Sequence, residues 1–305
     1  MPRATRFWEW GCDMARALNL INSDEPFFGH KACAGCGGSL AVRIALKVLG
    51  DRAIAILPAG CMSAVGFNFP QLAFGCNAMI STFAGTASLM TGVAAGMKRK
   101  GEKDFTVVGF AGDGGTADIG IQALSGAIDR NDDILYICYD NEAYMNTGIQ
   151  QSSLTPYGAS TTTSPVDRNG QATLTQKKDM FRIVSAMGAP YVATASVGYL
   201  DDYATKVEKA SHIHGTKFIH VLAPCPTGWG SPVDATVELA REAVDCGLWR
   251  LAECEGGVVT VNRDPRKKAG EFAPVEHYLK SQRRFKHMSD EDIRLVEAHR
   301  DAQWS

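Results

Sequence analysis

Two neighbouring stretches decide the fold: FTVVGFAGDGG at residues 105–115 and DILYICYDNEAYMNTG at residues 133–148. Each opens with an apolar run of strand length, and each run ends in Gly, Asp or Asn. Between them, residues 116–130 carry Ile119, Leu124 and Ile128 at helical spacing. The pattern predicts a strand–helix–strand unit whose two strands are parallel.

The same alternation continues on both sides of this unit. It predicts helices at residues 39–49, 82–98 and 200–213 and strands at residues 53–57, 191–195 and 217–223. Alternating strands and helices are typical of an α/β fold with a doubly wound, mostly parallel sheet. Residues 152–176, rich in Ser, Thr, Gly and Pro, are expected to form a long loop. We therefore predict an N-terminal segment (1–28), an α/β domain (29–232) and a C-terminal helical arm (233–305).

The composition excludes several classes of function. The chain has 305 residues, 45% of them apolar and 21% charged, and a formal net charge of −2. A charge near zero gives no basic field, so neither nucleic acid nor an anionic membrane is expected as a partner. The charge runs at 263–268 and 283–286 are interpreted as solvated faces or subunit contacts. Nine cysteines without a secretory signal favour a reducing, cytoplasmic location.

Residues 53–97 contain no Asp, Glu, Lys, Arg or His. Pro58 and Pro70 interrupt this tract, so it is too broken to span a bilayer. An uncharged surface of this breadth would adhere to other molecules, so the fold or another subunit is expected to cover it.

The first candidate site is Gly112-Asp113-Gly114-Gly115, where a strand ends and a helix begins. Such positions present backbone amides to phosphate, and a carboxylate beside phosphate is best explained by a bridging Mg²⁺. The alternative is a plain turn in which Asp113 caps the helix. Asn141 follows the next strand, so its side-chain oxygen could reach the same ion, with a backbone carbonyl as a third ligand.

The second candidate site is a set of cysteines. Cys33 and Cys36 form a C-x2-C pair, and Cys61 and Cys225 follow further along the chain. Four thiolates suit a tetrahedral zinc or a [4Fe–4S] cluster, and the spacing alone favours neither.

The Gly-Asp-Gly followed by Asn resembles the signature of thiamine-diphosphate enzymes. Residues 30–37, 140–150 and 223–229 resemble the β subunit of 2-oxoacid:ferredoxin oxidoreductases, in particular the pyruvate branch. The resemblance implies the following roles: Asp113, Asn141 and Ala143 bind Mg²⁺; Gly112, Gly114 and Gly115 contact the diphosphate; Asn146 lies in the active site; and Cys33, Cys36, Cys61 and Cys225 hold a [4Fe–4S] cluster near the thiamine.

The resemblance also implies a reaction and partners. The expected enzyme oxidatively decarboxylates a 2-oxoacid, passes electrons to the cluster and transfers the acyl group to coenzyme A. A pyrimidine-binding subunit and a ferredoxin-like subunit are expected, because this chain shows only the diphosphate-type motif. Pyruvate is the first expectation for the substrate. Small residues between 62 and 80 leave a phenylglyoxylate-type acid open, and oxalate is a third candidate.

Two other functions stay open. One is a non-redox thiamine-dependent decarboxylase or lyase subunit with a structural zinc in the cysteine site. The other is a scaffold subunit that keeps the fold without a cofactor.

Overall fold

The computed structural model describes residues 25–305. Most of the predicted N-terminal segment, residues 1–28, therefore lies outside the described residues. Within the described part, none of the helices is long and apolar enough to cross a membrane.

An eight-stranded sheet forms the centre of the described chain, in the order β10-β9-β7-β8-β6-β5-β1-β4. The six strands from β7 to β4 in this order pair in parallel, and β9 and β10 pair antiparallel at one edge. The strands are β1 (Ala53–Pro58), β4 (Asn77–Ser81), β5 (Thr106–Gly112), β6 (Ile134–Asp140), β7 (Tyr191–Ser196), β8 (Thr216–Leu222), β9 (Leu251–Glu255) and β10 (Val258–Arg263), with β2 (Phe67–Asn68) and β3 (Gln71–Leu72) in a separate hairpin. The predicted α/β fold with a mostly parallel sheet is confirmed.

Helices cover both faces of the sheet. They are α1 (Gly37–Leu49), α2 (Cys61–Gly66), α3 (Thr86–Arg99), α4 (Asp113–Ala117), α5 (Ile121–Asp129), α6 (Met180–Ala186), α7 (Leu200–His212), α8 (Pro226–Trp229), α9 (Thr236–Asp245), α10 (Arg266–Ala269), α11 (Val275–Lys280) and α12 (Asp290–Trp304), with a 3₁₀ turn at Arg283–Phe285.

Strand β6 shows why the sheet is covered on both sides. Every residue of β6 is buried, as expected for a central parallel strand. Ile137 packs with the side chains of α1 and α7, whereas Tyr136 and Cys138 pack on the opposite face with those of α3, α5 and α6. Cys138 is therefore a core residue, in agreement with its position inside an apolar strand.

The helix predicted at residues 116–130 is two shorter helices, α4 and α5. The break falls at Asp118, whose carboxylate accepts hydrogen bonds from the Tyr144 hydroxyl (2.7 Å) and the Ser153 backbone amide (3.2 Å). Gly120 lies against the Gly115 carbonyl oxygen, where a Cβ atom would stand 2.0 Å away. Tertiary contacts therefore end α4 early.

The segment 233–305 was predicted as a helical arm, but it also contributes β9 and β10 to the main sheet. Gly256 and Gly257, at φ 56° and 85°, form the turn between these strands. The apolar runs on either side of Gly-Gly are a local hairpin signal in the sequence. The boundaries at residues 28 and 232 stay a prediction.

The uncharged tract at residues 53–97 is only partly covered. Strand β1 is fully buried, but β4 forms an edge of the sheet. On the β2–β3 hairpin and β4, Phe69 is 99% exposed, Leu72 49% and Ile80 49%. In this chain the fold therefore covers the inner part of the tract and leaves an apolar surface at one edge.

Candidate active site

The adjacent strands β5 and β6 bring the two polar motifs together. Gly112 pairs with Tyr139 in the ladder, so Asp113 and Asn141 follow two neighbouring strand ends. The pocket at this edge is lined by all the residues predicted to bind Mg²⁺ or the diphosphate, by the predicted active-site residue and by one predicted cluster ligand: Gly112, Asp113, Gly114, Gly115, Asn141 and Ala143, then Asn146 and Cys61. The residues proposed for Mg²⁺ and one proposed cluster ligand, Cys61, therefore border the same space.

Three oxygen atoms face one another in this pocket. The side-chain oxygen of Asn141 lies 3.1 Å from Oδ1 of Asp113 and 2.9 Å from the carbonyl oxygen of Ala143. Without a cation, the Asn141 amide would be satisfied only by turning its nitrogen toward both oxygens. An octahedral Mg²⁺ with bonds of about 2.1 Å places neighbouring ligand oxygens about 3 Å apart. The observed spacing fits adjacent positions around such an ion.

Asp113 is buried, and its second carboxylate oxygen accepts a hydrogen bond from the Ser152 hydroxyl. Burial, and then the nearby charge of Asp140, raises the pKa of Asp113 well above its ordinary value. A bound cation would reverse this effect by stabilising the carboxylate. Ser152 leaves Oδ1 of Asp113 directed toward Asn141.

Glycine at position 114 is required by packing. A Cβ atom there would stand 2.2 Å from the ring of Tyr144. The Tyr144 hydroxyl in turn donates to Asp118 at 2.7 Å. Gly114 therefore lets the loop after β6 pack against the start of α4, whether or not its amide also contacts a phosphate.

Glu142 lies between the two residues Asn141 and Ala143 and adopts a left-handed backbone conformation with φ 69°. Its amide donates to Oδ1 of Asp140 at 2.9 Å, and its carbonyl accepts from the Thr155 hydroxyl at 2.8 Å. Its buried carboxylate pairs with Lys177 at 2.7 Å and with Arg284. A strained conformation of this kind persists only where its surroundings impose it.

Asp140 is fully buried and also pairs with Lys177. Lys177 Nζ and His220 Nε2 lie 2.7 Å and 2.8 Å from Oδ2 of Asp140. Burial acts to raise the pKa of Asp140, but Lys177 and then His220 outweigh it and hold the pKa below its ordinary value. Burial likewise opposes the charge of Lys177, yet Asp140 and Glu142 raise its pKa. The loop after β6 therefore rests on a buried set of ionised groups.

The four cysteines lie around helix starts beside the pocket. Cys36 and Cys225 are the N-caps of α1 and α8, and each sulfur accepts a backbone hydrogen bond at 3.4 Å, from Ser39 and Gly228 respectively. Cys61 begins α2. Amide donors of this kind stabilise sulfur ligands that carry negative charge.

Two glycines allow the C-x2-C loop to approach Cys225. A Cβ atom on Gly37 would stand 2.7 Å from the Ala223 carbonyl carbon, and the Gly37 amide donates to Pro224 at 3.0 Å. Gly35 has φ 72°, and a Cβ atom there would meet the Val233 carbonyl oxygen at 2.0 Å. Only glycine fits both positions.

The thiols influence one another electrostatically. Burial raises the pKa of Cys61 to about 12, and the neighbouring thiols of Cys225, Cys36 and Cys33 add to this shift. Thiolates at this place therefore need a compensating cationic metal centre. In residues 25–305, no three His, Cys, Asp or Glu side chains converge closely enough to hold a single ion.

The structure also brings in residues that the sequence analysis missed: Ser152, Glu142, Lys177 and Arg284. Glu142 was visible within the motif itself, and Lys177 ends the long polar loop. Arg284 belongs to the charge run 283–286, for which a solvated face or a subunit contact is predicted, yet its side chain is buried within this chain. Its partner Glu142 is 142 positions away, so no local pattern could reveal the contact. Asn146 lines the pocket and is exposed.

Comparison with known proteins agrees with this geometry. A family model described as the C-terminal thiamine-pyrophosphate-binding domain of thiamine pyrophosphate enzymes matches residues 58–221, more than half of the chain. The chain is 47% identical over 281 residues to pyruvate synthase subunit PorB of Methanothermobacter thermautotrophicus, covering 92% of this chain and 96% of the relative. It is also 47% identical over 290 residues to ketoisovalerate oxidoreductase subunit VorB of Pyrococcus abyssi, covering 93% of each.

Among solved structures, a 2-oxoglutarate:ferredoxin oxidoreductase from Magnetococcus marinus, with 2-oxoglutarate, coenzyme A and succinyl-CoA bound, matches with a TM-score of 0.55. The match covers 84% of this chain and 91% of that chain at 20% identity. This similarity shows a shared fold.

Proposed function

Because the chain belongs to the thiamine-pyrophosphate-binding subunits of the 2-oxoacid:ferredoxin oxidoreductase family, we propose that it binds Mg²⁺-thiamine diphosphate and a [4Fe–4S] cluster side by side. The observation that carries this proposal is the shared pocket, which is lined by Asp113, Asn141, Ala143 and Cys61. When bound, thiamine diphosphate supplies the reactive carbon for decarboxylation, and an iron–sulfur cluster accepts single electrons.

The oxygen spacing around Asn141 supports the assignment of Asp113, Asn141 and Ala143 to Mg²⁺. Two of the three residues are held by hydrogen bonds: the Ser152 hydroxyl donates to Asp113, and Trp229 Nε1 donates to the backbone carbonyl of Asn141 at 2.8 Å. The chain's own contribution is thus to fix oxygen ligands in place before the ion arrives. Gly112, Gly114 and Gly115 present their backbone to the same space, where a diphosphate would bind.

We favour a [4Fe–4S] cluster over zinc at the cysteine site. The chain belongs to a family of oxidoreductases, and a cluster held by four thiolates can accept electrons, whereas zinc has no redox chemistry. We assign Cys33, Cys36, Cys61 and Cys225 to the cluster.

The exposed apolar edge supports a hetero-oligomer. Phe69 and Leu72 on the β2–β3 hairpin and Ile80 on β4 are exposed apolar residues in a tract of the chain that has no charged residues. Exposed apolar surface of this kind is typical of a subunit contact. We assign this surface to a pyrimidine-binding subunit, which would supply the groups that this chain lacks; a ferredoxin-like subunit would carry electrons away. The proposed location is the cytoplasm.

The substrate is a separate proposal. The pyruvate and ketoisovalerate relatives are equally similar at 47% identity, so similarity does not choose between a small and a branched 2-oxoacid. Residues 62–80, whose small side chains suggested room for an aryl glyoxylate, line no part of the described pocket around Asp113. Asn146 lines its exposed side, where an amide could hydrogen-bond the substrate. We retain pyruvate as the first candidate, with coenzyme A as the acyl acceptor.

The substrate test measures kcat/KM of the purified complex for pyruvate, ketoisovalerate, phenylglyoxylate, 2-oxoglutarate and oxalate. One methylene more or less in an apolar pocket changes discrimination by roughly 10–200-fold, so graded preferences are expected with pyruvate highest. A kcat/KM for phenylglyoxylate about 100-fold above that for pyruvate would exclude pyruvate as the preferred substrate.

The cofactor test is metal analysis with electron paramagnetic resonance of the reduced complex. Iron and sulfide in equal amounts with a cluster signal are expected. Zinc without iron would favour the non-redox lyase, and a complex that retains full activity with Asp113→Ala would favour the scaffold.

A further inference from the structure

Arg284 joins the C-terminal segment to the loop that carries two of the proposed metal ligands. Its guanidinium donates to Oε2 of Glu142, the one carboxylate that it contacts within the described residues, and its Nε donates to Gln282 Oε1 at 2.9 Å. The side chain is only 6% exposed. Arg284 and the loop after β6 therefore hold each other in position.

The same guanidinium also stacks on an aromatic ring. Arg284 Cζ lies 3.9 Å from the centre of the Trp229 ring. Trp229 is fully buried, and its Nε1 donates to the backbone carbonyl of Asn141 at 2.8 Å. The Trp229 amide donates to the Cys225 carbonyl at 2.8 Å. One side chain therefore supports Glu142 directly and Asn141 through Trp229.

We propose that Arg284 is a positioning residue for the Mg²⁺ site: by holding Glu142 and Trp229, it fixes the Asn141 and Ala143 oxygens at the spacing that the ion requires. This inference rests on the proposed function, in which those oxygens bind Mg²⁺. It gives Arg284, far from the motif in sequence, a defined part in cofactor binding.

The physical reason lies in how Glu142 is held. A left-handed backbone is unfavourable for a residue with a side chain, so Glu142 needs outside contacts to keep it. Lys177 binds one carboxylate oxygen and Arg284 the other. Loss of Arg284 leaves a buried oxygen without its charged partner, which favours a shift of the loop away from this arrangement. Outer residues that orient metal ligands typically change metal affinity by about 10–100-fold when they are removed.

The test uses the assembled complex, stripped of Mg²⁺ with a chelator and then titrated with Mg²⁺ in the presence of thiamine diphosphate. Arg284→Met removes the charge and keeps much of the side-chain volume over Trp229. We expect the half-saturating Mg²⁺ concentration for thiamine diphosphate binding to rise by about 10–100-fold. Saturating Mg²⁺ should restore most of the activity, and the iron content should equal that of the wild type.

Two variants serve as comparisons. Arg283→Met alters the exposed neighbour of Arg284 and should leave the Mg²⁺ requirement unchanged. Arg284→Lys keeps a cation but loses the planar stack, so a smaller rise is expected, and it replaces Arg284→Met if the latter does not fold.

The double variant Glu142→Gln with Arg284→Met removes both charges. It should need less Mg²⁺ than Arg284→Met alone, because no unpaired carboxylate oxygen is left buried. A Mg²⁺ requirement equal to wild type in Arg284→Met, or activity that no Mg²⁺ concentration restores, would overturn the inference. If thiamine diphosphate binds the wild-type complex independently of Mg²⁺, the metal assignment itself fails.

Discussion

Two regions of this molecule reverse the usual distribution of charged and apolar side chains. Around Glu142, charged groups are inside: Asp140, Lys177 and Arg284 surround it with little exposure to water. Along the β2–β3 hairpin and β4, apolar groups are outside, and Phe69 is 99% exposed. Buried charges and exposed apolar surface are each unfavourable for an isolated chain.

The difference indicates two kinds of function. In the proposed function, the charged groups around Glu142 hold oxygen ligands in a fixed arrangement. The exposed apolar groups on the hairpin and β4 are proposed to be covered by another subunit. The stability of this chain alone explains neither region. Variants can test ligand positioning in the first region and subunit contact in the second.

The largest effect is expected from Asp113→Ala in the assembled complex. Loss of a direct ligand should lower activity and thiamine diphosphate affinity by more than about 100-fold, because removal of an outer residue already costs 10–100-fold. Steady-state kinetics and equilibrium binding measure this. Asp167→Ala, which removes an exposed loop carboxylate, is the control. Equal loss in both variants would show that the buried site has no special role.

The next effect concerns the cysteines. Cys225→Ala, like Cys33→Ala, Cys36→Ala and Cys61→Ala, should lose most of the iron, since loss of one thiolate opens the site. Cys138→Ala alters a buried cysteine on β6 and should keep its iron. Iron analysis of the purified complexes decides this, and the ligand assignment is wrong if Cys138→Ala loses iron while Cys225→Ala retains it.

Trp229→Phe should give an intermediate effect. The ring is retained, but the Asn141 carbonyl loses its hydrogen bond from Nε1, which costs about 1–3 kcal/mol for a buried acceptor. Trp304→Phe removes a similar bond, from Nε1 to the Gly247 carbonyl at 2.8 Å, away from the metal site. Both should lower the denaturation midpoint, but only Trp229→Phe should raise the Mg²⁺ requirement. An equal Mg²⁺ requirement in the two variants would show that the Trp229 hydrogen bond does not position the residues proposed to bind Mg²⁺.

The smallest effect on stability is expected at the exposed edge. Phe69→Ser should change the free energy of unfolding of this chain by no more than about 0.5 kcal/mol, because the ring makes few contacts within it. It should nevertheless weaken assembly, as seen by the fraction of complex in sedimentation. Val258→Ser, at the opposite edge on β10 where Val258 is 70% exposed, should affect neither quantity. Unchanged assembly with Phe69→Ser would show that the hairpin is not a subunit contact.

The sequence by itself determined the α/β alternation, the two polar motifs at the ends of β5 and β6, and the four cysteines. These signals are local: periodicity marks each strand or helix, and glycine or asparagine marks where a strand ends. The sequence also carried the Gly256-Gly257 hairpin signal.

Only the tertiary structure decided which side chains support the site. Arg284 and Glu142 are 142 positions apart, and Ser152 reaches Asp113 across 39 positions, so no periodic pattern records these contacts. Tertiary packing also divided the helix predicted at 116–130 at Asp118 and left the β4 edge exposed. The physical reason is that local spacing specifies the secondary structure, whereas the partners of a buried charge depend on how distant segments pack together.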